Sequence, residues 1–247
     1  MTVREYLRRS RAPRYSLLFA LPLLLLYEGL SAALTGSAVA GVRNGADVLL
    51  KTLFVGLGGR DGLYVFGALL VGGGGWLVWR DRRRAREPYV PRVFAWMALE
   101  SAAYAAAFGA LVGWLTALVL AGPRALAIGG AAALPLPTQL VISLGAGLYE
   151  ELAFRVLLVG ALLWVFTALL PAGRSIGTVL AVVLSALVFS AFHYIGPLGD
   201  TFTVPSFAFR AIAGVVFSAL YVARGFGVAA WTHALYDLGL SILQPGS

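Results

Sequence analysis

Glu150 and Glu151 stand side by side in a long apolar run, Tyr149-Glu150-Glu151-Leu152-Ala153-Phe154-Arg155. Ionisable groups in apolar surroundings are costly and mark candidate sites of function. Neighbouring carboxylates repel one another. Arg155 follows Glu151 by four residues, which places the two on one helix face and lets them pair. Glu150 points about 100° away, at about 3.6 residues per turn, and lacks that partner. One carboxylate is thereby held ionised, and the other is left to exchange protons. Acid–base sites are commonly built by making two similar groups unequal in this way.

Both histidines of the chain also lie in apolar runs. His193 closes Phe189-Ser190-Ala191-Phe192-His193, and His233 opens His233-Ala234-Leu235-Tyr236-Asp237. His233 and Asp237 share a helix face, where the Asp can fix the imidazole tautomer and orientation. The glutamates and histidines fall on three different helices, so they can converge only inside a bundle. The chain has no Cys, which excludes thiol catalysis, disulfides and Cys-ligated metals.

Two Glu and two His could instead hold Zn²⁺, although no His-Glu-x-x-His motif is present. A zinc-dependent membrane metalloprotease is therefore one alternative. A transporter with a proton relay is another, but the repeated halves common in transporters are not evident. A third is a pseudoprotease that only binds membrane partners.

Glu150-Glu151…Arg155, then Phe189…His193, then His233…Asp237, in that order on separate helices, resembles the motif set of the CAAX-protease and bacteriocin-processing family (CPBP, also called ABI) of intramembrane proteases. The type-2 CAAX prenyl endopeptidases belong to that family. The resemblance implies a glutamate-dependent endopeptidase without a covalent intermediate, acting on a membrane-associated protein or peptide and using no cofactor. It implies that Glu150 is the general base, assisted by His193, and that His233 and residue 237 stabilise the oxyanion. Glu151 and Arg155 would support the site. The better-known members have Asn where this chain has Asp237. An ionised Asp cannot donate a hydrogen bond, so Asp237 is expected to orient His233 instead.

The elements that carry these residues are membrane spans. Of 247 residues, 60% are hydrophobic and 12% charged, and mean hydropathy is +0.86. A soluble domain carries about 25% charged residues. The expected fold is all-α: a polytopic transmembrane helix bundle of about seven spans, with eight within reach, forming a single membrane domain over residues 1–247. The catalytic core falls at 138–243. The spans are Ser16 to Thr35, Gly62 to Trp79, a stretch within Val93 to Ala121, Thr138 to Leu170, Ile176 to Ile195, Ser206 to Val222, and Gly227 to Leu243.

Gly36 to Ala40 after the first run resembles a signal-peptide cleavage site, but the run is long and is read as a retained helix. Residues 41–60 are expected to form a short amphipathic helix in the membrane interface, with Asp47 and Lys51 on its polar side. Gly72 to Gly75, and the small residues Ala102, Ala103, Ala105, Ala106, Ala107 and Gly109, are read as surfaces for close helix packing. As a straight α-helix the fourth span would reach about 50 Å, at about 1.5 Å per residue. It exceeds a hydrocarbon core of about 30 Å, so it must tilt, project or break.

The net charge of +8 does not point to nucleic acid. Its arginines cluster in the N-terminal tail (Arg4, Arg8, Arg9, Arg11, Arg14) and between Arg80 and Arg92, where they fix topology and touch lipid headgroups. With the N-terminus cytoplasmic, thirteen basic residues lie on inner segments against four on outer ones, the asymmetry expected of a membrane protein in that orientation. The composition suggests a bacterial cytoplasmic membrane. Three charged residues fall in spans outside the motifs: Glu28, read as a structural partner; Arg210, expected to snorkel; and Glu100, with no role assigned. Trp76, Trp79, Tyr89 and Trp96 are expected as interfacial anchors.

Overall fold

The structure, a computed structural model, describes residues 1–34, 43–120, 134–169, 173–196 and 199–243. The expected cleavage-like run at 36–40 and the loop around Pro123 lie outside the described residues. Among the described residues all regular structure is helical. The helices are α1 (Val3–Ser10), α2 (Pro13–Ala33), α3 (Gly45–Gly58), α4 (Asp61–Ala85), α5 (Pro91–Val119), α6 (Leu136–Leu169), α7 (Arg174–Phe192), α8 (Val204–Arg224) and α9 (Phe226–Leu243).

Proline opens several of them: Pro13, Pro91, Pro137 and Pro205 sit in the first turns of α2, α5, α6 and α8. A missing N–H costs nothing there. Thr2, Asn44 and Thr203 cap α1, α3 and α8 through their side-chain oxygens.

Six helices, α2 and α4 to α8, are long and apolar enough to cross a membrane. The chain is an integral, multi-pass membrane protein. The helix expected as a seventh span forms as α9, but it is not among those six. Its Thr232, His233, Asp237 and Ser241 dilute its hydropathy. They can do so because α9 is enclosed, packing against α2, α5, α6 and α8.

The long fourth run does not break. It is one helix, and residues Ala146–Leu158 and Val165–Leu169 are wound as π-helix. Such winding is rare and gathers at functional sites. Gly147 lets α6 approach α9, since a Cβ there would lie 2.4 Å from the Ala230 carbonyl oxygen and 2.6 Å from Ala234 Cβ.

Several packing expectations are corrected. The polar side of α3 turns inward: Asp47 is fully buried while Leu53 and Leu57 are exposed. Asp47 is held there by Arg43 at 2.9 Å, Lys51 at 2.7 Å and the Tyr27 hydroxyl at 2.7 Å. Gly72 to Gly75 are not a packing seam, because a Cβ at any of them meets nothing within 4 Å. In α5 only Ala105 and Gly109 of the expected small-residue surface face the bundle, and Ala102, Ala103, Ala106 and Ala107 are exposed.

Arg210 does not snorkel. It is buried and donates to Asp200, to Ser206 Oγ at 2.5 Å and to Tyr194 Oη at 3.1 Å. Glu100 gains a role: it receives Arg224 at 2.6 and 2.7 Å, together with the hydroxyls of Tyr104 at 2.8 Å and Tyr6. That cluster ties α1 to α5 and α8. Glu28 is the structural partner expected, bound by Arg43, Lys51 and Tyr149.

Candidate active site

Three helices bring the six expected residues together. The π-helical part of α6 carries Glu150, Glu151 and Arg155; the end of α7 carries His193; and α9 carries His233 and Asp237.

Glu151 and Arg155 pair as their spacing predicts, with Arg155 Nη1 3.3 Å from Glu151 Oε1. Both are essentially without solvent contact. The guanidinium also lies against two rings, its Cζ 4.2 Å from the Phe189 centroid and 5.3 Å from that of Phe217. Aromatic faces attract a cation most where water is excluded.

His233 is fixed by Glu151. Its Nδ1 lies 2.8 Å from Glu151 Oε1, and its ring stacks on Phe217 at 4.4 Å. A carboxylate at Nδ1 places a proton on that nitrogen and turns Nε2 toward the interior of the site. Asp237 Oδ2 stands 3.5 Å from Nε2. The orienting contact expected of Asp237 is therefore made at closer range by Glu151, on the opposite ring nitrogen.

His193 is fixed by its own helix. Its Nδ1 is 2.8 Å from the Phe189 carbonyl oxygen. A carbonyl can only accept, so Nδ1 carries the proton and Nε2 is left to face the site. The Asp200 amide donates to the His193 carbonyl at 2.9 Å, and Arg210 holds Asp200 in turn. The end of α7 is thus braced on α8.

Both Nε2 atoms face the same atom. Glu150 Oε2 is 3.9 Å from His193 Nε2 and 3.9 Å from His233 Nε2. This oxygen is buried and has no hydrogen-bond partner among the described residues. Its mate, Oε1, accepts from Asn44 Nδ2 at 2.9 Å. Three polar groups thus face one region of the bundle interior. His193 and Asp237 form its open edge, with side chains 25% and 29% exposed; those of Glu150, Glu151, Arg155 and His233 are no more than 8% exposed.

Sequence reasoning missed Asn44 and Phe217. Asn44 is legible as a helix cap, because it precedes an apolar periodic run. Nothing local links it to Glu150, 106 residues away. Among the described residues no group of three or more His, Cys, Asp or Glu side chains is arranged to hold a metal ion.

Residues 132–239 match the family described as type II CAAX prenyl endopeptidase Rce1-like. That segment is similar to this family. The resemblance drawn from the motifs holds over a stretch containing all six expected site residues, and a CAAX-type membrane protease is supported in general. The matched segment begins just before α6, so α1 to α5 lie outside it. No curated protein and no solved structure matches the chain.

Proposed function

We propose that the chain is an intramembrane endopeptidase that cleaves a membrane-associated protein or peptide with water activated by Glu150 and His193. The single observation that carries this reading is the placement of Glu150 Oε2, buried, unpartnered and 3.9 Å from Nε2 of both histidines. That separation is too long for a direct hydrogen bond. It suits one water held between the carboxylate and the imidazoles.

In the proposed reaction Glu150 Oε2 removes a proton from this water, and His193 Nε2 aligns it. The oxygen adds to the scissile carbonyl. With both ring nitrogens protonated, His233 donates from Nδ1 to Glu151 and from Nε2 to the oxyanion. Glu150, Glu151 and Asp237 around its ring supply the countercharge. Glu150 then returns its proton to the leaving amine. Atoms balance without a covalent enzyme intermediate: one C–N bond and one O–H bond of the water break, and one C–O and one N–H bond form. A donor aimed at the developing oxyanion contributes about 10²- to 10³-fold in rate.

We further propose that the N-terminus is cytoplasmic and that the site opens toward the opposite face. The two basic clusters meet at one end of the bundle, where Arg14 reaches Asp81 at 3.3 Å and Glu87 at 3.4 Å. The Tyr27 hydroxyl that touches Asn44 lies 14 residues beyond Pro13 on α2, or about 21 Å at about 1.5 Å per residue. Thiol-labelling of single cysteines placed in the tail and next to His193, in sealed vesicles, tests this. Labelling of both from the same side contradicts it.

The activity test uses purified protein in lipid vesicles and quenched fluorescent peptides ending in a CAAX sequence, with and without a prenyl group. The reading predicts cleavage that persists in EDTA and 1,10-phenanthroline. Cleavage abolished by chelators and restored by Zn²⁺ would move the assignment to a zinc protease.

A further inference from the structure

The catalytic carboxylate has a partner that the matched segment does not contain. Asn44 is 3% exposed and lies at the mouth of α3. Its side-chain amide is committed at both ends: Oδ1 accepts from the Ala46 amide at 2.8 Å, and Nδ2 donates to Glu150 Oε1 at 2.9 Å. The first bond fixes the second. An amide turned over would place its NH₂ against the Ala46 N–H and its oxygen against the carboxylate, losing both bonds.

The backbone of Asn44 is pinned as well. Its N–H donates to Tyr27 Oη at 3.3 Å, and that hydroxyl donates to Asp47 Oδ2 at 2.7 Å. From the α6 side Tyr149, the residue before Glu150, donates to Glu28 at 2.8 Å. Glu28 is bridged back to α3 by Arg43 at 3.1 Å and Lys51 at 3.2 Å.

The approach is tight enough to need a glycine opposite. A Cβ on Gly145 would lie 2.5 Å from Tyr27 Cε2 and 2.6 Å from Asn44 Cβ. Real Cβ atoms do not come so close. Any side chain at 145 therefore pushes α6 away from Asn44.

We infer that Asn44 is a positioning residue for the general base: it holds Glu150 Oε1 so that Oε2 is the oxygen presented to His193 and His233. An N–H donor already sits on Oε1, so a proton taken up by Glu150 must reside on Oε2. Oε2 is the oxygen next to the water and the leaving amine, so the proton is stored where it is next needed. Without Asn44 the carboxylate can rotate or bind the proton on its far oxygen, and the transfer loses its geometry. The site is then completed by a residue from the N-terminal part of the chain, on an element other than the three carrying the motifs.

This inference rests on the proposed role of Glu150, and the test separates the two. Asn44→Asp and Asn44→Ser both keep a good helix cap. Asp presents only acceptors to Oε1 when ionised, and Ser is too short to reach it. A merely structural cap is preserved in both variants, whereas a positioning role is lost in both. The full chain is assayed in lipid vesicles with a prenylated CAAX peptide, alongside Glu150→Gln.

The expected result is a fall in kcat of about 10- to 100-fold for both variants, by analogy with the loss of groups that orient metal-ligating side chains. KM should stay within about threefold, because ground-state binding is not touched. The melting temperature should stay within about 4 °C of the parent. Asn44→Asp should in addition recover activity as pH falls, because the introduced carboxyl regains a donor on protonation. The charged and titratable groups around it are Glu150 on α6, Asp47, Arg43 and Lys51 at α3, Tyr27 and Glu28 on α2, and Tyr149 on α6. Asn44→Ser lacks that carboxyl and controls for them.

If both variants keep parental kcat while Glu150→Gln is inactive, Asn44 is only a cap and the inference is overturned with the proposed function intact. If Glu150→Gln is as active as the parent, the base assignment fails and this inference fails with it.

Discussion

The carboxylate of Glu151 lies 2.8 Å from Nδ1 of His233, so the residue beside Glu150 holds the imidazole that faces Glu150. The same oxygen, Oε1, is 3.3 Å from Arg155 Nη1. Glu151 therefore links charge balance to the orientation of the His233 ring. Glu151→Ala and Arg155→Ala each leave a buried partner charge uncompensated, which destabilises by about 3–5 kcal/mol. The double variant should lose less than the sum of the two, because the pair is removed together. Thermal unfolding in detergent of the three variants measures this coupling. Additive losses would show that the two residues do not act as a pair.

The contact of α6 with α9 sets where Glu150 meets His233. At Gly147 a Cβ would lie 2.4 Å from the Ala230 carbonyl oxygen, and backbone cannot yield as a side chain can. Gly147→Ala is expected to cost about 1–3 kcal/mol, as overpacking does. It should also separate the carboxylate from the histidine, lowering kcat in the fraction that folds. Gly74→Ala, on the open side of α4, is the control, since a Cβ there meets nothing within 4 Å. Active-site titration followed by cleavage rate per folded molecule checks both.

Much of the site was legible because its residues break the local rule. Glu150, Glu151, His193, His233 and Asp237 stand in runs that should hold no charge, and ordered spacing tied them to one family. The i, i+4 pairing of Glu151 with Arg155 survived the change from α to π winding. The winding itself carries no sequence signal that periodicity could detect. Asn44 could be recognised as a cap but not as a partner of Glu150, because the two are joined only by tertiary packing around Gly145. The inward face of α3 was misread for a related reason. Asp47 and Lys51 look solvent-facing until Arg43, Glu28 and Tyr27 are brought beside them. Arg210 likewise found Asp200 and Ser206, where a lone arginine near a helix end suggests escape to the interface.

The Glu100–Arg224 pair lies apart from the site and should affect stability alone. Arg224 is buried, with its Nε 2.6 Å from Glu100 Oε1 and its Nη2 2.9 Å from Ser10 Oγ. Arg224→Met is expected to loosen α1 and lower the melting temperature, leaving the cleavage rate per folded molecule unchanged. Hydrogen exchange of residues 3–10, together with the rate, provides the readout. An altered kcat at parental stability would contradict this separation.

Tyr6 makes the docking of α1 depend on pH. Burial, and then the Glu100 carboxylate it donates to, push its phenol up from the ordinary value of about 10. A group that binds its proton more tightly in the folded state adds stability below its unfolded value. That stability is lost as pH rises through the folded one. The advantage of the parent over Tyr6→Phe should therefore be constant up to about pH 10 and shrink above it. Melting curves of the two proteins across alkaline pH check the sign. An advantage that grows with pH would contradict the contact.

The central claim is that Glu150 is the base of a water-activating protease. The most direct test is the cleavage rate of Glu150→Gln against the parent in lipid vesicles, on the same peptide, with chelator present and with equal folded protein confirmed by melting. Gln keeps the shape and can still accept from Asn44, but it cannot take a proton from water. The account predicts a folded variant with no measurable cleavage beside an active, chelator-resistant parent. Undiminished cleavage by Glu150→Gln would contradict it.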